Sequence, residues 1–251
     1  MTAAPGNGVF VTGTGTEVGK TVVAAVLART LAAEGKRVAV FKPAVTGLEE
    51  PPADGPISRS PGDISAHRPP PDHELLRIAA GSTQGDEEIA PYRYGPPASP
   101  HLAAALAGEE IEPARLLAAA RAAAAGADTL VCEGVGGLLV PLVRGVGSLG
   151  RRGIGSPYLV RHLAVDLGYP LVIAASPGLG TINHTLLTLE SARAAGLEVA
   201  AVVLTPWPEE PSAIQRSNRE TIAALGTVEV QTLPPLDLAA PATWPALSWR
   251  R

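Results

Sequence analysis

The stretch Gly13-Thr14-Gly15-Thr16-Glu17-Val18-Gly19-Lys20-Thr21 constrains this chain more than any other. The residues before it, Val9-Phe10-Val11-Thr12, are β-branched or aromatic, and Val22 to Ala33 after it are apolar with strong helix formers. Strand, glycine-rich turn and helix together are the context of a phosphate-binding loop rather than of a plain glycine turn. Backbone N–H groups from Glu17, Val18 and Gly19 and from the helix N-terminus converge on an anion. Lys20 reaches β and γ phosphates, and the Thr21 hydroxyl serves Mg²⁺. The strict pattern G-x-x-x-x-G-K-[ST] needs glycine at position 14; this chain has Thr14 there and its glycine one residue early, at Gly13.

Two further polar points fall at strand ends, where open parallel sheets bind ligands. The helix after the loop ends near Glu34-Gly35, and Arg37-Val38-Ala39-Val40-Phe41 reads as a strand delivering Lys42 to its carboxyl end. Lys42 is either a solvated strand-end charge or a second phosphate ligand, and its place beside the loop favours the latter. Asp128 to Cys132 is a buried strand delivering Glu133, and Gly134, Gly136 and Gly137 let backbone approach a ligand closely. Glu133 thus reads as a Walker-B-type carboxylate for Mg²⁺, against the plainer reading of a strand-end acid facing water. A third turn, Ser176 to His184, follows the apolar strand Leu171–Ala175; Leu179, Gly180, Thr181, Ile182 and Asn183 there form either a second anion site or simply a helix cap.

Residues 48–71 are rich in Pro, Ser and Gly and read as an exposed loop. Asp72 precedes Leu75, Leu76, Ile78 and Ala79 and is placed at or near the N-cap of a short helix, with Asp63 a rival carboxylate inside the loop. Ala90 to Pro97 is extended by its prolines, Ser99-Pro100-His101 opens a helix to about Leu106, and Pro113 opens another through Ala125. Leu138 to Val143 is a short extended piece, and 144–156 a glycine-rich insertion. Tyr158–Leu167 reads as a helix, Val199–Leu204 as a strand, Ile214–Leu225 as a helix and Val228–Leu233 as a last strand leading to Pro234-Pro235-Leu236. The tail holding Trp244 and Trp249 has no readable period. Alternating strands and helices predict one domain over 1–251, a three-layer, mostly parallel α/β sheet with right-handed crossovers.

A net charge of −4 argues against a general nucleic-acid binder. The lone cysteine, Cys132, lies in an apolar run and is expected as a buried structural thiol, not a nucleophile. With no apolar signal-like region near the N-terminus and no long uncharged apolar run, the expectation is a soluble cytoplasmic protein without membrane contact.

Taken together, Thr12 to Thr21, Lys42-Pro43-Ala44-Val45-Thr46-Gly47, Pro91-Tyr92 with Ser99-Pro100-His101, Glu133-Gly134-Val135-Gly136-Gly137, and Gly180 to His184 resemble the dethiobiotin synthetase family over residues 8–236, including the shifted first glycine. The resemblance implies a P-loop NTPase fold related to ParA/MinD-type ATPases. It also implies ATP- and Mg²⁺-dependent closure of the ureido ring of dethiobiotin from 7,8-diaminononanoate and CO2, through a carbamate and a carbamic-phosphoric mixed anhydride. Lys20, Lys42 and Thr16 then act at the reacting groups, and Thr21, Asp72 and Glu133 hold Mg²⁺; Asp72 matches the family's aspartate by context and Asp63 does not. Thr16 and Thr46 lie near diamine and carbamate. Homodimers are implied, with the substrate carboxylate on a helix N-terminus of the partner, here Leu179 to Asn183. Thr205-Pro206 stand where the family often has Asn-Asp reading adenine, so other nucleoside triphosphates are admitted as well as ATP; Pro234, Pro235 and Leu236 match the other wall of the base pocket. The competing reading is a ParA/MinD-like ATPase switch binding a protein partner, but the additional early lysine of such loops is missing at Thr14 and Gly15. An amidase-like ligase would need a glutamine-hydrolysing domain with a catalytic cysteine.

Overall fold

In the computed structural model, which describes residues 7–49, 70–145 and 156–249, the strand before the phosphate loop is β1 (Gly8–Gly13), buried along its whole length. Along the chain follow β2 (Val38–Phe41), β3 (Thr129–Glu133), β4 (Pro141–Val143), β5 (Tyr158–Leu159), β6 (Leu171–Ala175), β7 (Val199–Leu204) and β8 (Val230–Thr232). Six of them form one sheet in the order β2-β3-β1-β6-β7-β8, and every pairing is parallel. Their carboxyl ends therefore share one edge, and the register sets Val11 opposite Glu133 and Gly13 opposite Ala174.

The unbroken apolar runs of β1, β3 and β6 follow from burial on both faces. Side chains alternate across each strand. Val9, Val11 and Val131 pack with Val23 and Leu27 of α1 (Lys20–Ala33) and with Leu75 and Leu76 of α2 (Asp72–Ala80). After α3 (Asp86–Ile89) come the helices α4 (Pro100–Leu106), α5 (Pro113–Ala125), α6 (Val160–Leu167), α7 (Thr181–Ala194) and α8 (Ala213–Gly226). Phe10, Phe41 and Cys132 face the other way, onto a cluster with Leu116, Leu163, Leu189 and Ile222 from α5 to α8. The result is the expected three-layer α/β sandwich. Cys132 is fully buried, and burial, helped by the neighbouring Glu133 charge, pushes its thiol well above the usual range, as befits a structural residue.

Asp72 opens α2 beside its N-cap Pro71, as expected, but its side chain makes no cap. One local expectation is corrected. Tyr158 and Leu159 are not helical but pair antiparallel with β4. The helix starts two residues later, at Val160, where the Leu159 N–H donates to His162 Nδ1 at 3.0 Å. The short α3 had no readable signal.

The tail gains structure through long-range contacts. Leu233, Trp244 and Leu247 join the core on the α1 side. The Leu247 N–H donates to Thr30 Oγ1 at 3.2 Å, and Gln231 Nε2 donates to the Ser248 carbonyl at 2.7 Å. Among the described residues no helix is long and apolar enough to cross a membrane.

Candidate active site

The phosphate loop joins β1 to α1, and two contacts explain its sequence. A Cβ at Gly13 would lie 2.7 Å from Val18 Cγ2 and 2.8 Å from Lys20 Cγ, so the loop needs glycine there. The following Thr14 tolerates a side chain while its N–H donates to the Ala174 carbonyl at 3.1 Å, prolonging the β1–β6 pairing. Gly19 has φ 84°, and a Cβ on it would meet Thr205 Cγ2 at 2.5 Å. Lys20 is buried and closes the loop, its Nζ donating to the Gly15 carbonyl at 2.6 Å.

Beside the loop, α1, the end of β2, β3 and α2 bring four side chains together. Lys42 Nζ lies 2.6 Å from Glu133 Oε1 and 2.6 Å from Asp72 Oδ2. Thr21 Oγ1 donates to the same Glu133 oxygen at 2.9 Å. The Asp72 side chain caps no backbone N–H and is spent on Lys42 instead. Burial opposes charge on Lys42, but Glu133 and Asp72 together outweigh it and hold the ammonium above its ordinary value. Burial likewise pushes the Glu133 carboxyl up, with Lys42 opposing. At Asp72 the order reverses: burial raises it, but the Lys42 charge and hydrogen bonds from Lys42 and Thr21 bring the net direction down. Lys20 is lowered, chiefly by burial. Two cations and two carboxylates thus compensate one another, which makes such burial tolerable.

This set fits Mg²⁺. Among the described residues Glu133 Oε2 is buried without a hydrogen-bond partner. Thr21, Asp72 and Glu133 are hard oxygen donors. No group of three or more His, Cys, Asp or Glu able to hold a metal occurs among the described residues. Mg²⁺ characteristically takes one or two protein carboxylates and completes its shell with phosphate oxygens and water.

A cleft of about 690 Å³ gathers ten of the expected residues: Thr16, Glu17, Gly19, Lys20 and Thr21 from the phosphate loop and the start of α1, Lys42 and Thr46 from the turn after β2, and Asp72, Glu133 and Gly136. Val45, Pro71 and Val135 also line it, and sequence reasoning missed them as lining; Val45 lay inside the quoted turn after Lys42. Val18 and Gly134 stand outside the lining, as do Leu179 to Asn183, Thr205, Pro206 and Pro234 to Leu236. Thr205 is buried behind Gly19. The Trp207 N–H donates to the Leu233 carbonyl at 2.7 Å, so the chain after β7 runs beside the segment entering Pro234-Pro235-Leu236. Leu179 is 95% exposed, on a turn that Asn218 Nδ2 holds by donating to the Pro177 and Gly178 carbonyls at 3.0 and 3.1 Å. Asp63 lies outside the described residues. A second cleft, about 650 Å³, opens around the amino-terminal end of β2 among Lys36, Arg37, Gln84 and Ala123, and none of the expected site residues lines it.

The family described as an AAA domain matches residues 7–242. The ATP-dependent dethiobiotin synthetase BioD of Bacillus subtilis (strain 168) is 32% identical over 228 residues, covering 91% of this chain and 87% of that one. The protein of the same name from Anaeromyxobacter dehalogenans (strain 2CP-1 / ATCC BAA-258) is 39% identical, covering 87% and 85%. That from Rhodococcus erythropolis (strain PR4 / NBRC 100887) is 37% identical, covering 90% and 87%. Among solved structures, a ParA family ATPase from Chlorobium tepidum TLS aligns with a TM-score of 0.49 at 16% identity, covering 93% of this chain and 87% of that one.

Proposed function

This chain belongs to the dethiobiotin synthetase family, and from that premise we propose that the cleft between the phosphate loop, Lys42 and Glu133 is where its reaction runs. The enzyme is an ATP-dependent ligase that closes the ureido ring of dethiobiotin from 7,8-diaminononanoate and CO2, a step of biotin biosynthesis. The observation that carries the site assignment is Lys42, bridging Asp72 and Glu133 in the same cleft that Lys20 and Thr21 line.

The chemistry divides into one addition and two displacements. One amine of the diamine adds to CO2 and loses a proton, giving a carbamate. A carbamate oxygen attacks the γ-phosphorus of ATP and ADP leaves. The second amine attacks the carbamoyl carbon, the bond to the phosphate oxygen breaks, and inorganic phosphate departs. Negative charge builds on the γ-phosphoryl oxygens during the second step, and cations already fixed in place stabilise it without reorganisation. Lys20 and Lys42 take that part. The exposed Thr16 and the half-buried Thr46, both lining the cleft, offer hydroxyls to the diamine and carbamate. Thr21, Asp72 and Glu133 would hold Mg²⁺, which when bound neutralises phosphate charge.

The substrate carboxylate is assigned to the N-terminus of α7 at Leu179 to Asn183, acting on the site of a second copy in a homodimer. The bareness of Leu179 outside its own cleft supports that reading. The base is assigned to the surface formed by Thr205, Pro206 and Pro234 to Leu236, and the setting to the cytoplasm. Phosphate release from pure protein given MgATP and bicarbonate, with and without 7,8-diaminononanoate, tests the whole: release should depend on the diamine, and diamine-independent release would sink the assignment.

A further inference from the structure

Lys42 is carried by an edge strand. Among the described residues β2 has β3 on one side and no strand on the other, so backbone groups on that other side need other partners. Val40 is fully buried there. Its N–H donates to Gln84 Oε1 at 2.8 Å, and Gln84 Nε2 donates back to the Val40 carbonyl at 3.1 Å. One side-chain amide supplies both bonds that a neighbouring strand would make, and only the amide's own donor and acceptor pair can do so. Two residues on, the Lys42 N–H donates to the Ile89 carbonyl at 2.8 Å. Farther along, Val45 exchanges backbone bonds with Tyr92 and Tyr94 at 2.9 and 2.8 Å. Ser82 steadies Gln84: its Oγ donates to Gln84 Oε1 at 3.0 Å and accepts from the Gln84 N–H at 3.2 Å.

We propose that Gln84 is a positioning residue for Lys42, its amide fixing the β2 backbone so that the ammonium lies between Asp72 and Glu133. This rests on the reading of Lys42 as a group that stabilises charge in the reaction. Gln84 lines the second cleft and not the one holding Lys42, so any effect it has on turnover passes through the strand. A misplacement of about 1 Å at a reacting group costs roughly 10²-fold in rate.

A double-mutant cycle in diamine-dependent phosphate release tests this, using Gln84→Met, Lys42→Ala and the pair. Gln84→Met should lower kcat by about 10- to 100-fold with KM for MgATP nearly unchanged. In the Lys42→Ala background the same substitution should change kcat by less than about twofold. An equal loss in both backgrounds overturns the proposal alone, because a merely structural role does not need Lys42; so does an unaltered kcat in Gln84→Met. Full turnover by Lys42→Ala overturns the reading of Lys42 and this proposal with it. If Gln84→Met does not fold, Ser82→Ala, which weakens the same amide, enters the cycle with the same outcomes. Amide hydrogen exchange gives a readout independent of activity: the Lys42 N–H should lose protection in the variant, and retained protection counts against the proposal.

Discussion

The ammonium of Lys42 lies 2.6 Å from Oε1 of Glu133, a carboxylate with no solvent exposure at all. Breaking such a pair on one side strands a buried charge, typically at about 3–5 kcal/mol, whereas replacing both partners is often nearly neutral. Lys42→Met should therefore destabilise the fold more than Lys42→Met combined with Glu133→Gln, although Asp72 stays in both. Denaturant unfolding of the two variants checks the ranking. In turnover the order is different: each variant should lose about 10²- to 10³-fold, the usual loss of one preorganised group facing developing charge.

Asp72 makes a sharper case for the metal. Its carboxylate contacts Lys42 from the first turn of α2 and is half open to solvent, while Glu133 is sealed. Asp72→Asn should leave the fold nearly intact and raise the Mg²⁺ concentration needed for half-maximal activity by about tenfold or more, in line with losses at supporting metal residues. Asp63→Ala should do far less. Titrating Mg²⁺ at saturating ATP and diamine measures both, and the reverse ranking would exchange their roles.

Lys20→Ala removes the cation that closes the phosphate loop onto the Gly15 carbonyl. Turnover should fall by about 10²-fold or more with cooperative unfolding preserved, since α1 keeps its buried face of Val23, Leu27 and Leu31. Circular dichroism alongside kinetics checks this, and unchanged activity would refute the loop's role.

What the sequence disclosed, and what it withheld, divides by range of interaction. Leu171–Ala175 and Thr129–Glu133 were legible because strands buried on both faces become unbroken apolar runs, and Glu133 because its strand ends in a charge followed by glycines. Asp72 was only half legible, because a carboxylate opening a helix is locally indistinguishable from a cap; only the approach of Lys42, on another element, decides its use. Gln84 reaches across 44 positions to Val40, with no local pattern to betray it. Tyr158 and Leu159 took strand form from their pairing with β4, and Trp244 and Leu247 pack as irregular chain against α1, where periodicity has nothing to report.

Gly19 couples the phosphate loop to the residue that follows β7, Thr205. Gly19→Ala meets two separate penalties, the left-handed φ of 84° and a contact of 2.5 Å with Thr205 Cγ2. The backbone part alone is worth about 1–3 kcal/mol. Thr205→Ser deletes the offending methyl, so in the Gly19→Ala background it should restore part of the lost stability while lowering that of the parent. Thermal unfolding of the four proteins reads the coupling, and strictly additive effects would show that the methyl and the glycine do not meet.

Thr205 also bears on the choice of base. Its side chain is buried with its methyl turned toward Gly19, so the position where an asparagine would read adenine presents no side-chain amide. Discrimination of 10⁴-fold or more comes from buried groups left unpaired by the wrong ligand. With such a reader missing, contacts to the triphosphate, shared by all nucleotides, dominate binding. Preference among nucleoside triphosphates should then be shallow, within about tenfold in kcat/KM, far below what a polar base reader provides. Competition between ATP and each other triphosphate in the diamine-dependent assay measures it, and a strict ATP requirement would mean that the segment Pro234 to Leu236, or backbone groups beside it, reads the base instead.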